Sequence, residues 1–223
     1  MKNRADILDA DIRWTKDGPD PDNLGTMVIL HDATLDRITN CKGSVSSWLW
    51  SAIWDKCRTD VGGQQLMWLV DLLQYGNTVG KSLALEIKVS PITDAQANQL
   101  WDAIKNSRVQ LHATSARLAA LNKIKKLDAA DPNHRLSYAL GTSGAGGWPS
   151  VSPIKKVGTA VHAKLTIPAE VVRSYRLANI KVFVYTARNE SDQARMIALQ
   201  PYAVVVNDLA RFQEWRDAAD GSA

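Results

Sequence analysis

The chain has 223 residues, 45% of them hydrophobic and 22% charged, a balance that fits one α/β barrel or at most two small domains and excludes disordered and fibrous classes. No run of 18 apolar residues occurs, so no transmembrane segment is expected. Lysine and arginine total 27 against 23 acids, a formal charge of +4 spread without a basic run or an RNA-binding signature, which argues against nucleic acid as a partner.

Met1–Asp6 carries no apolar stretch and does not read as a secretory signal. Ile7–Ile12 reads as the first strand. Roughly fourteen residues rich in Gly, Pro, Asp and Asn then lead to another strand-like run, Met27–His31, too close for a helical crossover. It is expected to fold back as a hairpin-like excursion at the C-terminal mouth of Ile7–Ile12. Residues 32–64 would then be an insertion over that mouth, and long loops in compact domains are usually functional or disordered. Trp48, Trp50, Trp54 and both cysteines of the chain lie in it, which argues for order. A Cys41–Cys57 disulfide closing the insertion is expected, with two buried free thiols as the alternative. The disulfide would imply an oxidising compartment.

Beyond the insertion, helical patterns over Leu66–Asn77, Asp94–Asn106, Ala116–Lys125, Pro168–Leu177, Ser191–Leu199 and Leu209–Ala218 alternate with strand-like runs. Those runs are Leu83–Lys88, Val109–Ala113, Leu136–Leu140, Ala160–Lys164, Lys181–Thr186 and Ala203–Val206. Thr93 and Gln96 fit a capping box, and Pro168 fits a first helical turn. The alternation predicts βα units and a parallel sheet. Seven strands are one short of a (β/α)₈ TIM barrel. A doubly wound open sheet is the alternative, although no G-x-G-x-x-G or Walker loop follows any strand.

Parallel-barrel strands are covered on both faces and read as apolar runs, so charges on them are informative. In Ile7–Ile12, alternation puts Asp9 and Asp11 on one face and Leu8, Ala10 and Ile12 on the other. In Leu83–Lys88, Glu86 and Lys88 share a face. His112 with Thr114, and His162 with Lys164, follow the same pattern. Buried carboxylates persist when paired or metal-bound. Three converging acids, Asp9, Asp11 and Glu86, suggest a hard cation such as Ca²⁺ or Mg²⁺; solvated strand ends or helix caps are the alternative. His31, at the end of Val28-Ile29-Leu30, would return to the Asp11 mouth as an acid/base candidate or a structural histidine.

Asp9-Ala10-Asp11-Ile12-Arg13-Trp14-Thr15-Lys16-Asp17-Gly18, then Val28-Ile29-Leu30-His31-Asp32 and Leu35-Asp36-Arg37-Ile38-Thr39-Asn40, resembles the glycerophosphodiester phosphodiesterase family. Leu85-Glu86-Ile87-Lys88 looks like that family's second metal-ligand strand. Val184-Tyr185-Thr186 and Val205-Val206-Asn207-Asp208 look like its last two strands, with Tyr185 where a Trp is more usual. The resemblance implies a (β/α)₈ barrel that cleaves a glycerophosphodiester substrate into glycerol 3-phosphate and an alcohol with a divalent cation. It makes Asp9, Asp11 and Glu86 metal ligands, His31 one of two acid/base histidines, Lys88 a phosphate contact and Tyr185 a substrate contact.

Two departures stand out. The first ligand is usually Glu, and Asp9 is one methylene shorter. The opening strand with its His-Arg pair, and the helix after it, are not in the 223 residues, and none of His112, His134 and His162 replaces that histidine by motif. The expectation is therefore a single barrel domain over residues 1–223 without its first strand and helix, aggregation-prone and inactive until these are restored. Two other readings remain open: a barrel that binds phosphodiesters without turnover, and a phospholipase D resembling the sphingomyelinase D enzymes. The disulfide expectation favours a secreted protein, with a cytoplasmic one as the alternative.

Overall fold

A computed structural model describes residues 5–16, 24–133, 136–142 and 147–219. Asp17 and Gly18 of the opening block, and His134, lie outside the described residues. The chain groups into two compact units, Ile7–Leu136 and Ser137–Ala223 with Met1–Asp6.

The first unit holds β1 (Ile7–Trp14), β2 (Met27–Ile29), a single 3₁₀ turn (Val45–Ser47), α1 (Trp50–Lys56), α2 (Leu69–Val79), β3 (Ser82–Ile87), α3 (Asp94–Ile104), β4 (Leu111–Ser115) and α4 (Leu118–Ala129). Its strands lie in the order β2-β1-β3-β4. β1, β3 and β4 are parallel, and their register sets Asp11 beside Glu86 and Glu86 beside Thr114. β2 folds back antiparallel on the C-terminal end of β1, pairing Ile12 with Ile29 and Trp14 with Met27, as the short connection required.

Alternation sorts β1 as expected: Ala10, Ile12 and Trp14 are buried, while Asp9, Asp11 and Arg13 line the other face. Leu83, Leu85, Ile87, Leu69, Leu100 and Leu121 are nearly inaccessible as well; burying each such side chain is worth about 1.5–3 kcal/mol. α3 opens on the anticipated capping box, with Gln96 N donating to Thr93 Oγ1 and Thr93 N to Gln96 Oε1, both 3.1 Å. α2 closes on Gly80, whose left-handed φ of 66° suits a residue without Cβ.

Two boundaries differ from the sequence expectation for a traceable reason. α2 starts at Leu69 rather than Leu66, because Ile29 N donates to Met67 O (2.9 Å) and Trp68 bridges Val28, which holds Met67 and Trp68 extended. β4 starts at Leu111 rather than Val109, where Leu83 N meets Gln110 O and the ladder begins.

Residues 32–64 carry a small core of their own. Leu35, Val45 and Ile53 pack with Val28, Leu30 and Leu66 around Cys41 and Cys57. These cysteines form the expected disulfide, with Cα atoms 5.4 Å apart. Asn40 clasps the far side, its amide donating to Arg58 O (3.0 Å) and its Oδ1 accepting from Arg58 N (2.7 Å). The rings of Trp50, Trp54 and Trp68 stack edge-on or tilted at 4.8–6.1 Å.

The second unit repeats strand and helix: β5 (Leu136–Gly141), α5 (Val151–Val157), β6 (Ala160–Lys164), α6 (Ala169–Leu177), β7 (Lys181–Ala187), α7 (Glu190–Leu199), β8 (Ala203–Val206) and α8 (Leu209–Ala219). Its strands pair in parallel in sequence order. Pro168 sits at the N-cap of α6 with extended ψ, one residue ahead of the first turn expected for it. α7 is capped by Asn189, whose Oδ1 accepts from Asp192 N at 2.9 Å. Both units are α/β. Among the described residues, no helix is long and apolar enough to cross a membrane.

Candidate active site

The C-terminal ends of β1 and β3, where parallel barrels build their sites, bring four predicted residues together. Asp11 and Glu86 are register neighbours. The ammonium of Lys88 lies between them, 3.0 Å from Asp11 Oδ1 and 2.9 Å from Glu86 Oε2. Its backbone is fixed as well, Lys88 N donating to Ile12 O at 3.2 Å. Asp9, two residues before Asp11, shares their field.

The electrostatics follow from two carboxylates meeting one ammonium, with a third carboxylate, Asp9, in the same field. Burial, then the charges of Asp11 and Glu86, push the Asp9 carboxyl up to about 7, although part of its side chain reaches solvent. Burial raises Glu86 too, against the pull of Lys88. Burial alone would lower Lys88, but the carboxylates of Glu86 and Asp11 outweigh it and hold the ammonium charged. On β4, Thr114 stands beside Glu86, buried, and its hydroxyl has no hydrogen-bond partner among the described residues.

An all-oxygen donor set with surplus negative charge fits a hard divalent cation. Among the described residues, no group of three or more His, Cys, Asp or Glu side chains is already gathered around a metal position. Lys88 occupies the gap between two of the carboxylates, so a cation there would take over part of its role.

His31 follows β2 directly. Leu30 N donates to Asp11 O (2.9 Å), tying the histidine's approach to β1. His31 Nδ1 lies 2.7 Å from Asp32 Oδ1, and Arg37 Nε donates to the other carboxylate oxygen of Asp32. These two partners, Arg37 first, hold the Asp32 carboxyl down at about 2. Asp32 therefore stays ionised, favours the tautomer with its proton on Nδ1, and leaves Nε2 for chemistry. The roles of Asp32 and Arg37 were not anticipated from sequence. An acid directly after a strand-end histidine is the signal that would have found the first; the Arg37 contact depends on the fold of the insertion.

Tyr185 lies on β7 in the second unit. Its ring meets that of His162 edge-on at 4.6 Å, and its hydroxyl is 3.5 Å from Thr142 Oγ1.

Residues 1–211 match the glycerophosphoryl diester phosphodiesterase family. No curated protein sequence matches the chain. Among solved structures, the chain is similar to an Oleispira antarctica phosphodiesterase in complex with the product sn-glycerol-3-phosphate, at 17% identity and a TM-score of 0.81, covering 97% of this chain and 87% of that one. It is also similar to a glycerophosphodiester phosphodiesterase from Parabacteroides distasonis (15%, TM-score 0.74, 96% and 85% covered) and one from Thermotoga maritima (17%, TM-score 0.70, 96% and 86% covered). These likenesses fix the fold as the α/β barrel class of those enzymes. The matched residues span nearly the whole chain, and it belongs to the glycerophosphoryl diester phosphodiesterase family, a family of phosphoric diester hydrolases.

Proposed function

We propose that the protein hydrolyses glycerophosphodiesters to glycerol 3-phosphate and an alcohol, with a divalent cation held by Asp9, Asp11 and Glu86 and with His31 as an acid/base group. The observation that carries this reading is the Asp11–Lys88–Glu86 cluster across β1 and β3, with Asp9 two residues before Asp11 on the same face and the His31–Asp32 pair tethered to the same strand. Supporting it, a relative of the same fold binds sn-glycerol-3-phosphate, the expected product.

A bound Ca²⁺ or Mg²⁺ would withdraw charge from the non-bridging phosphate oxygens. Lys88, already charged and mostly buried, supplies a second positive group to the same oxygens. Protonated His31 donates from Nε2 to the alkoxide as the phosphorus–oxygen bond to the alcohol breaks, and Asp32 supports the imidazolium through Nδ1. Water supplies the new oxygen on phosphorus, and the proton it gives up restores the proton that His31 passed to the alcohol. The Cys41–Cys57 disulfide supports an exported protein.

The test is release of glycerol 3-phosphate from glycerophosphocholine by protein that carries the family's opening His-Arg strand, measured with Ca²⁺ or Mg²⁺ and again after chelation. Metal-dependent release is expected. Choline release from lysophosphatidylcholine without glycerol 3-phosphate would overturn the reading in favour of a phospholipase D.

A further inference from the structure

Arg13 sits two residues past Asp11, on the same face of β1. Its guanidinium forks onto one acceptor: Nε (3.1 Å) and Nη2 (2.7 Å) both donate to the main-chain carbonyl of His31. The register explains the meeting. Arg13 pairs with Val28, and the chain leaves the β1–β2 ladder just beyond Leu30, whose amide still binds Asp11 O. From that point, Arg13 replaces the missing ladder bond.

The peptide between His31 and Asp32 joins the imidazole to the carboxylate that holds its Nδ1. A group that fixes this peptide therefore orients both side chains together. We propose that Arg13 is the positioning residue for the His31–Asp32 pair, setting where Nε2 points relative to the carboxylates of β1 and β3. This rests on the reading of His31 as the acid/base group.

The fork is what the role requires. A planar guanidinium presents two donors at fixed spacing, whereas a lysine brings one flexible head and cannot hold a carbonyl from two sides. Burial disfavours the charge of the guanidinium, and the carboxylates of Asp11, Asp32 and Glu86 act against that burial. Displacing a catalytic group by about 1 Å can cost on the order of 10²-fold in rate.

The experiment compares Arg13→Gln, Arg13→Lys and His31→Ala with the wild type. Steady-state kinetics use glycerophosphocholine, and ¹⁵N NMR reads the His31 ring. Both Arg13 variants should lower kcat by about 10- to 100-fold with KM within about threefold. The ring should lose its single Nδ1-protonated pattern, while the unfolding midpoint stays close to wild type. Arg13→Lys should fail to rescue, because it restores charge without the fork. Unchanged kcat, a rise in KM alone, an unaltered His31 spectrum, or full rescue by lysine would each overturn the proposal, as would variants that do not fold. Full activity in His31→Ala would instead remove the reading of His31 on which the proposal stands, whatever Arg13 does.

Discussion

The two sides of the site are built on opposite terms. Asp11, Glu86 and Lys88 sit on or just beyond rigid parallel strands, with side chains only 17–20% exposed. His31, in the turn after a three-residue strand, is 65% exposed and is held by hydrogen bonds to neighbours rather than by packing. Charges on the strand side are costly to desolvate and persist because they oppose one another at close range. The histidine side needs freedom to accept and release a proton in contact with substrate. On the proposed reading one side is a fixed electrostatic platform and the other an oriented, accessible acid/base group, so the same substitution logic should give different signatures on the two.

The largest effects belong to the platform. In protein that carries the opening His-Arg strand, Asp11→Asn and Glu86→Gln each remove a charged oxygen, and each is expected to abolish stimulation by Ca²⁺ or Mg²⁺. Glycerol 3-phosphate release titrated against metal checks this, and wild-type titrations in both variants would break the assignment. His31→Ala comes next. Turnover should drop by about 10²–10⁴-fold, typical for losing an acid/base group. Metal affinity and the unfolding midpoint should hardly move, because an exposed ring leaves no cavity. Unfolding with activity per molecule preserved would make His31 structural instead.

A smaller effect tests whether the insertion braces only one side. The disulfide closes a loop across a sequence separation of 16, worth about 3 kcal/mol in the chain-entropy picture. Cys41→Ser with Cys57→Ser should lower the denaturation midpoint. It should also reduce turnover more than metal affinity, because Leu35, Leu30 and Val28 carry the loop's core directly beneath the His31 turn. Equal losses of metal affinity and turnover would erase the distinction between the two sides.

The platform was readable in the sequence because strand alternation is a local rule: Asp9 with Asp11, and Glu86 with Lys88, share faces whatever the rest of the chain does. The β2 hairpin was equally readable from the short connection before Met27, and the capping box at Thr93 from its spacing. What escaped was non-local or too short to show a period. α1 (Trp50–Lys56) and α5 (Val151–Val157) span seven residues each, without a side-chain cap, and α5 carries Pro153 inside. The Arg13 fork reaches a carbonyl 18 residues away and exists only because β2 returns to β1. Lys88 could be placed on the acidic face but not between two particular carboxylates, since that depends on the register of β1 against β3.

The smallest expected effect concerns pH and separates orientation from stability on the histidine side. Asp32 is held at about 2 in the folded protein, by Arg37 first and His31 second, against about 4 for an unperturbed aspartate. A carboxyl depressed by folding stabilises the native state above its unfolded pKa and loses that contribution as pH falls through the folded one. The stabilising share of Asp32 should thus be intact at pH 6, decline as pH falls from about 5, and be gone only near pH 1. Because Asp32 pairs with partly exposed groups, the amount is small and salt-sensitive. Asp32→Asn should therefore lower the urea midpoint slightly at pH 6, and the gap to wild type should close on acidification. A gap that widens below pH 4 would reverse the sign and show that the Asp32 charge does not favour the folded state. Turnover gives the complementary readout. The substitution should slow the reaction far more than its small stability cost explains, because Nδ1 loses the anion that orients it while Lys88, Asp11 and Glu86 keep their arrangement.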